Sequence, residues 1–274
     1  MNRHRYIAFK DIKICHYGPY VLTGISNLET GGATSRKINY IDTDGSERRD
    51  IFYNERVFEI SGVIHAENAD DMVKYKRRLI SRCSLKEKLW VEYFNRREKY
   101  VAECFFDKLP TFGSRKSWFL PFKLYAVIPG FFWQSALLHN VKIFGYRDDV
   151  TDTFTLPCVF TSRFHTAMVS NLGDCEVYPV FVVTCEASTK GSTILLKNNT
   201  TGKQVLINYQ TSTGETVTVD MANQYVESSI NGNITNKVSL DSEFFVFEQG
   251  ANEIESVSVG NVVVAQFRER FLGV

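Results

Sequence analysis

Cysteine and carboxylate side chains, which can bind metals or transfer protons, are concentrated in the segment NLGDCEVYPVFVVTCEA, residues 171–187. The segment contains two cysteines and three acidic residues: Cys175, Cys185, Asp174, Glu176 and Glu186. Alternate residues of a strand face opposite sides, so the apolar odd-numbered positions predict a core-facing side that includes both cysteines. Ten strand residues span about 33 Å, which is too far for a shared metal, a disulfide or paired glycosidase carboxylates. The segment is therefore predicted to be scaffold.

Other motifs that would indicate a catalytic or cofactor site are missing from the sequence. The five histidines never occur at the HxxH-like spacing of zinc sites. There is no GxxxxGKS/T loop, GxSxG elbow or GxGxxG turn, so nucleotide binding and serine hydrolysis lack their usual markers. The sequence predicts no catalytic residue, no cofactor and no bound metal.

The charges are balanced, with 32 basic and 31 acidic residues and a net charge of +1. Such a chain lacks the long-range field by which nucleic-acid-binding proteins attract phosphate. One basic cluster could contact phosphates, although a solvated helix face explains it more simply: Lys74, Lys76, Arg77, Arg78 and Arg82. We expect no secretory leader and no membrane span. The six cysteines, which form no CxxC pair, are predicted to be free thiols in a protein folded in a cytosol.

Turn signals recur from residue 190 onward and separate short β-rich runs. The turns are KNNTTG, STGE, INGN, EQGAN and VGN, and the runs are TILLK, QVLINY, ETVTVD, FFVFE and NVVVAQF. Strands at this regular spacing, with no helical period among them, are typical of an all-β sandwich. Residues 136–274 are therefore predicted to form a C-terminal β-sandwich domain.

The first half of the chain combines strands with one helix. The runs FEISGVI, LWVEYF, KYVAECFF and SWFLPFKLYAVI predict strands, and in two of them apolar residues alternate: Phe58, Ile60 and Ile64, then Trp118, Leu120, Phe122, Leu124 and Ala126. In AENADDMVKYKRRLISRC the apolar stripe has helical spacing: Met72, Tyr75, Leu79 and Cys83. The dipeptide PG at 129–130 is a candidate boundary signal. Residues 1–135 are predicted to form a β-sandwich-like domain with one helix.

Two features exceed what a simple sandwich needs. In NYIDTDGSERRDIFY, residues 39–53, Asp44 and Gly45 suit a type I′ hairpin turn whose charged flanks could clasp a neighbour. A solvated hairpin without a partner fits the local pattern equally well. The candidate interface residues are Asp42, Asp44, Gly45, Glu47, Arg48 and Arg49. The second feature is the aromatic content of 14%, with the runs GFFW at 130–133 and FFVF at 244–247, of which we expect some rings to lie outside the cores or between subunits.

The order of these elements resembles the distal tail proteins of long, non-contractile-tailed bacteriophages that infect Gram-positive bacteria. In the first half the resemblance is carried by RKINYIDTDGSERRD leading to ERVFEISGVI, then by RRLISR, KYVAECFFDKLPTF and LYAVIPGFFW. In the second half it continues through NLGDCEVYPVFVV, LKNNTTGKQVLI, TGETVTVDM, SSINGNIT, SEFFVFEQGANEI and FRERFLGV. Each element is a turn and strand pattern, so the order of the elements carries the specificity.

The resemblance implies an N-terminal domain related to tail-tube subunits, which closes into a homo-hexameric ring, and a galectin-like C-terminal sandwich. The ring would be a hub in the virion, at the distal end of the tail tube. Its implied partners are the tube protein, the tail-associated tip protein and a receptor-binding protein. Genome DNA would pass through the ring without specific binding, and the protein would assemble in the bacterial cytoplasm without membrane insertion.

Two other functions remain open at this point. The first alternative is a stand-alone carbohydrate-binding sandwich, and the second is a glycan hydrolase. Clustered exposed tryptophans would favour sugar binding, but Trp90, Trp118 and Trp133 all lie outside the predicted C-terminal sandwich. Neighbouring inward-facing carboxylates would favour hydrolysis, and the strand alternation separates the best candidate pair.

Overall fold

The computed structural model describes residues 4–28, 32–39, 46–144, 166–185, 193–257 and 261–274. Across these ranges the protein is mainly β with one α-helix, as the sequence predicts. It divides into two compact units, Met1–Ala136 with Phe271–Val274, and Leu137–Arg270. The second unit is thus inserted between two segments of the first. That residues 1–135 and 136–274 fold and assemble separately remains a prediction. Within the described ranges, no helix is long and apolar enough to cross a bilayer.

The first unit is built on a large antiparallel sheet. The strands of this unit are β1 (Tyr6–Phe9), β2 (Ile12–Ile14), β3 (Tyr20–Ser26), β4 (Ala33–Asn39), β5 (Ser46–Tyr53), β6 (Arg56–His65), β7 (Leu89–Phe94), β8 (Lys99–Phe112), β9 (Phe119–Ile128) and β10 (Trp133–Ser135). The main sheet has the order β2-β1-β7-β8-β9-β6-β3, and β10 pairs with β8. At its ends, Cys15 bridges to Val21, so strands β2 and β3 approach each other.

Alternate side chains of the strands point into the core of the first unit and fill it. Phe58, Ile60 and Ile64 on β6 are buried, as are the even-numbered apolar residues from Leu120 to Ala126 on β9. Trp118 departs from this prediction: it precedes β9 and is 45% exposed. The reason is a turn in which Lys116 and Phe119 exchange backbone hydrogen bonds, so the strand alternation begins only at Phe119.

Helix α1 (Ala69–Arg82) lies over this core as its stripe predicts. Met72, Leu79 and Cys83 are buried, and Tyr75 packs against the same cluster. The side chain of Asn68 caps the N-terminus by accepting a hydrogen bond of 2.8 Å from the Asp71 N–H. Acidic residues in the first turn and Arg82 in the last match the helix dipole.

The second unit contains two sheets that share one core. The strands are β11 (His139–Phe144), β12 (Thr166–Asn171), β13 (Val180–Cys185), β14 (Ile194–Asn198), β15 (Gln204–Ile207), β16 (Thr216–Asp220), β17 (Tyr225–Ser228), β18 (Gly232–Asn233), β19 (Gly250–Val257) and β20 (Asn261–Phe267), and β21 (Arg270–Phe271) follows. A single 3-10 turn spans Thr235–Lys237. One sheet has the order β11-β20-β13-β16-β17-β18 and the other has the order β12-β19-β14-β15. Two sheets around one core form a β-sandwich.

Some aromatic rings lie outside the cores, as expected, among them Tyr17, Phe52 and Trp90. Most rings of the two aromatic runs are buried instead. Trp133 and Phe131 are buried in the first unit, and Phe245 and Phe247 in the second. The run FFVF forms no strand, since Phe247 alone bridges to Val177. Edge-to-face contacts around Phe181 explain the burial, because its ring centroid lies 5.7 Å from that of Phe245 and 6.0 Å from that of Phe247.

Candidate assembly hairpin

Strands β4 and β5 form a two-stranded sheet that pairs with no other described strand. Their register runs from Ala33 opposite Tyr53 to Asn39 opposite Ser46, with a bulge after Arg36. Three of the candidate interface residues lie on β5: Glu47, Arg48 and Arg49. The predicted turn residues lie outside the described ranges: Asp42, Asp44 and Gly45. The hairpin strands predicted by the sequence are therefore present, and the interface itself remains a proposal.

The base of this hairpin is fixed by aromatic and polar contacts. An isolated two-stranded hairpin is marginally stable in water, so such contacts are needed. The Tyr53 ring stacks on Phe131 with centroids 4.6 Å apart, and meets Phe132 edge-on at 5.3 Å. The Asn54 N–H donates to the Gly32 carbonyl at 2.9 Å, and the Thr34 hydroxyl donates to Asn54 Oδ1 at 2.9 Å.

A buried arginine lies beneath this base. Arg56 is only 1% exposed, and its guanidinium donates hydrogen bonds to the carbonyls of Leu28 and Leu272. Its Cζ lies 4.4 Å from the centroid of the Phe131 ring. Burial lowers the pKa of Arg56, but an arginine with its very high ordinary pKa stays charged. The sequence analysis missed this residue, although a charged side chain in register with the inward-facing Phe58 and Ile60 was a usable signal.

Apolar side chains are exposed near the junction between β5 and β6. Phe52 is 61% exposed, Tyr53 47% and Val57 44%. Protein interfaces typically combine an apolar, aromatic centre with a polar rim. The sequence of the hairpin supplies charged residues for such a rim. This arrangement suits contact with another protein surface.

The alternation predicted for the segment around Cys175 and Cys185 is present in its described part. Val177, Pro179, Phe181, Val183 and Cys185 are buried, in agreement with the odd-numbered alternation. Regular strand begins only at Val180, and Cys175 and Val177 make isolated bridges to Arg270 and Phe247. Glu186, the other member of the candidate carboxylate pair, lies outside the described ranges.

No group of three metal-binding side chains occurs among the residues that the structure describes. The basic helix face is partly neutralised, because Asp11 pairs with Arg82 at 2.6 Å and with Arg78 at 2.9 Å. The Arg82 and Arg78 guanidiniums hold the pKa of Asp11 below its usual range. This pairing uses two of the five cations that could otherwise have contacted phosphate.

Among the described residues, Glu215 in the second unit is a buried carboxylate with a dense hydrogen-bond network. It accepts hydrogen bonds from the Tyr209 hydroxyl at 2.5 Å, from the Ser228 hydroxyl, and from the Ser212 N–H at 2.7 Å. Burial by itself raises the pKa of Glu215, but these hydrogen bonds outweigh it and the pKa lies below the ordinary value. A carboxylate held in its charged form by three donors is a structural anchor.

Comparison with known proteins finds a family model that matches part of the second unit and solved structures of similar fold over nearly the whole chain. Residues 172–271 match the family model described as the siphovirus-type tail component, C-terminal domain. The fold of the chain is similar to the crystal structure of the SPP1 Dit protein, described as a paradigm of the hub adsorption apparatus in phages that infect Gram-positive bacteria. The TM-score is 0.74 at 11% identity, and the alignment covers 98% of this chain and 99% of that chain.

Baseplate structures give a second group of similar folds. A chain of the phage P2 baseplate in its activated conformation with Ca aligns with a TM-score of 0.57 at 10% identity, covering 100% of both chains. The corresponding structure with Sr gives 0.52 at 9% identity and covers 99% of both chains. No curated protein matches the chain significantly. The resemblance to distal tail proteins drawn from the order of the elements is confirmed.

Proposed function

We propose that this chain, which has the fold of a phage Dit protein, is a structural component of a siphovirus-type tail tip. The observation that carries the proposal is the alignment with SPP1 Dit over nearly the full length of both chains, together with the tail-component match in the second unit. Two unrelated folds joined in the same order are a more specific likeness than either alone. The protein would reside in the virion and act by binding other proteins.

The finer proposal is that six copies close into a ring at the distal end of the tail tube. The ring would join the tube protein to the tail-associated tip protein and carry receptor-binding proteins for host adsorption. Genome DNA would pass through the ring without a dedicated site, in keeping with the net charge of +1. The description of SPP1 Dit as a hub protein supports this arrangement.

The hairpin of strands β4 and β5 is proposed as one side of the ring interface. A closed ring requires that one patch on each subunit meets a different patch on the next. The hairpin pairs with no other described strand, its base carries exposed Phe52 and Tyr53, and its strands bear Glu47, Arg48 and Arg49. These properties favour a neighbouring copy of the chain as the partner.

Ring formation can be tested on the full chain by light scattering and negative-stain electron microscopy. We expect a six-fold ring for the wild type and weakened assembly for Phe52→Ser. The matched control is Met168→Ser in the second unit, which removes a side chain of similar exposure, 64% against 61%, and should leave the ring intact. A chain that stays monomeric at every concentration would overturn the hub proposal, and equal loss in both variants would overturn the role of the hairpin.

A further inference from the structure

Arg56 connects three parts of the first unit that are distant in the chain. Its guanidinium donates to the carbonyl of Leu28, which follows β3, and to that of Leu272 in the segment Phe271–Val274. It also lies over Phe131, whose ring stacks on Tyr53 at the end of β5. Arg56 therefore contacts the end of the segment that follows β3, and it reaches the end of β5 through the ring of Phe131.

The environment of Arg56 contains no carboxylate partner among the described residues. Buried charges are normally paired with an opposite charge, and this guanidinium is held by two carbonyl oxygens and the face of Phe131. Its Nε has no acceptor within the described ranges. Each of the two carbonyls is consequently costly to lose, because a buried donor without an acceptor forfeits its hydration.

The segment that supplies the Leu272 carbonyl is itself packed into the first unit. Phe271 and Val274 contact the core cluster, and the Phe271 ring meets Tyr100 edge-on at 5.2 Å. This packing places the carbonyl without help from the hairpin. Removal of the segment would leave Arg56 with the Leu28 carbonyl alone.

We propose that Arg56 and the segment Phe271–Val274 form a clamp that holds the base of the hairpin in place within the first unit. Phe131 transmits the clamp to Tyr53, and its backbone adopts a positive φ of 66°, which is unusual for an aromatic residue and presents its ring at this point. A segment that follows the second unit in the chain thus controls the proposed interface of the first. The consequence for assembly rests on the proposed function, whereas the clamp itself does not.

The clamp can be tested by hydrogen–deuterium exchange of the full chain at a concentration where it is monomeric. The variants are Arg56→Met, Arg56→Lys and deletion of residues 272–274, and the control is Arg97→Met in the exposed turn between β7 and β8. We expect amides of β4 and β5 to exchange at least tenfold faster in all three variants and at the wild-type rate in the control. Lysine should fail to rescue because it lacks the planar fork that reaches two carbonyls.

Amides of β7 and β8 serve as the internal reference. Unchanged hairpin exchange in the deletion variant, or equal acceleration of hairpin and reference strands, would overturn the clamp. If Arg56→Met does not fold, the deletion and the lysine variant decide by the same criteria. Ring assembly is then measured separately by light scattering: reduced assembly of the folded variants supports control of the interface, and wild-type assembly overturns it. Since exchange is read on monomers, failure of the hub proposal would leave the clamp result unaffected.

Discussion

Buried polar side chains are where single residues of this protein have the largest effects. Arg56 and Glu215 are both almost fully buried. Arg56 donates hydrogen bonds to two backbone carbonyls, and Glu215 accepts hydrogen bonds from Tyr209 and Ser212. Sequence patterns identify the apolar members of a core, whereas the partners of a buried charge depend on tertiary structure. The register of Arg56 with Phe58 and Ile60 indicates an inward-facing position, but the hydrogen-bond partners of Arg56 and Glu215 could not be derived from the sequence.

Substitution of Glu215 tests the anchor in the second unit. We expect Glu215→Gln to lower the free energy of unfolding at pH 7 by about 1–3 kcal/mol, because buried donors lose a charged acceptor. The folded-state pKa of Glu215 is depressed, so its stabilisation is present above the unfolded value of about 4.5 and is lost as the pH falls through the folded pKa.

Urea denaturation at pH 7 and pH 3.5 measures this difference. The wild type should lose more stability on acidification than the variant. Glu227→Gln, on the neighbouring strand β17 and exposed, is the control and should be neutral. Equal stability of Glu215→Gln and wild type at pH 7 would contradict the anchor.

Thiol reactivity gives a second prediction at the residue scale. The five described cysteines form no disulfide: Cys15, Cys83, Cys104, Cys175 and Cys185. Burial raises the pKa of Cys83 and of Cys104 to about 12, so almost no thiolate forms at pH 8. We expect a thiol reagent at pH 8 to spare these two cysteines in the native protein and to reach the partly exposed Cys15.

In denaturant without reductant, all six cysteines, including Cys158, should titrate. A titre below six would show a disulfide and contradict the prediction of free thiols. Rapid native modification of Cys83 or Cys104 would contradict their burial.

At the scale of elements, sequence periodicity predicted the strands and the helix wherever one face of the element packs against the core. Strands β6 and β9 and helix α1 lie where the alternation and the apolar stripe predict them. The run FFVF is apolar enough for a strand, but it lies in irregular chain with a single bridge. Trp118 was placed on a strand although a turn excludes it. Whether such a run forms a strand depends on its hydrogen-bond partners. Local sequence patterns do not show which segments supply those partners.

Close packing between β6 and its neighbours predicts a strong effect at Gly62. A Cβ there would lie 2.4 Å from Cζ of Phe122 and 2.9 Å from the Val21 carbonyl oxygen. We expect Gly62→Ala to destabilise the protein by about 1–3 kcal/mol through overpacking. The matched control is Gly24→Ala on the adjacent strand β3, where an added Cβ meets nothing within 4 Å. Thermal unfolding of both variants measures the difference. Similar unfolding midpoints for the two variants would contradict the close packing around Gly62.

On the scale of the whole molecule, the sequence predicted two β units but missed how the chain is shared between them. Regular turns in the second half and the mixed pattern of the first half indicated the units. The segment Phe271–Val274 is too short for any periodicity, so its return to the first unit could not be read from the sequence. The candidate interface was likewise predicted only in its charged strands, because the anchoring of Tyr53 on Phe131 joins residues far apart in the chain.

The division of the chain leads to a prediction about fragments. A fragment of residues 1–135 omits Phe271–Val274, so it loses the Leu272 carbonyl and the packing of Phe271. We expect a fragment in which residues 1–136 are joined by a flexible linker to 271–274 to be more stable than 1–135 and to form hexamers at lower concentration. Residues 137–270 should stay monomeric, because the sandwich forms its own closed core.

Removal of residues 41–48 from the joined fragment completes this test. The deletion should weaken the ring and leave the fold intact, because charged hairpin tips contribute little to a core. Light scattering gives the assembly state, and circular dichroism the fold. A joined fragment that is folded yet monomeric at every concentration would contradict ring formation by the first unit. Hexamers formed by residues 137–270 alone would show that the ring interface lies in the sandwich, and that the hairpin does not hold the ring together.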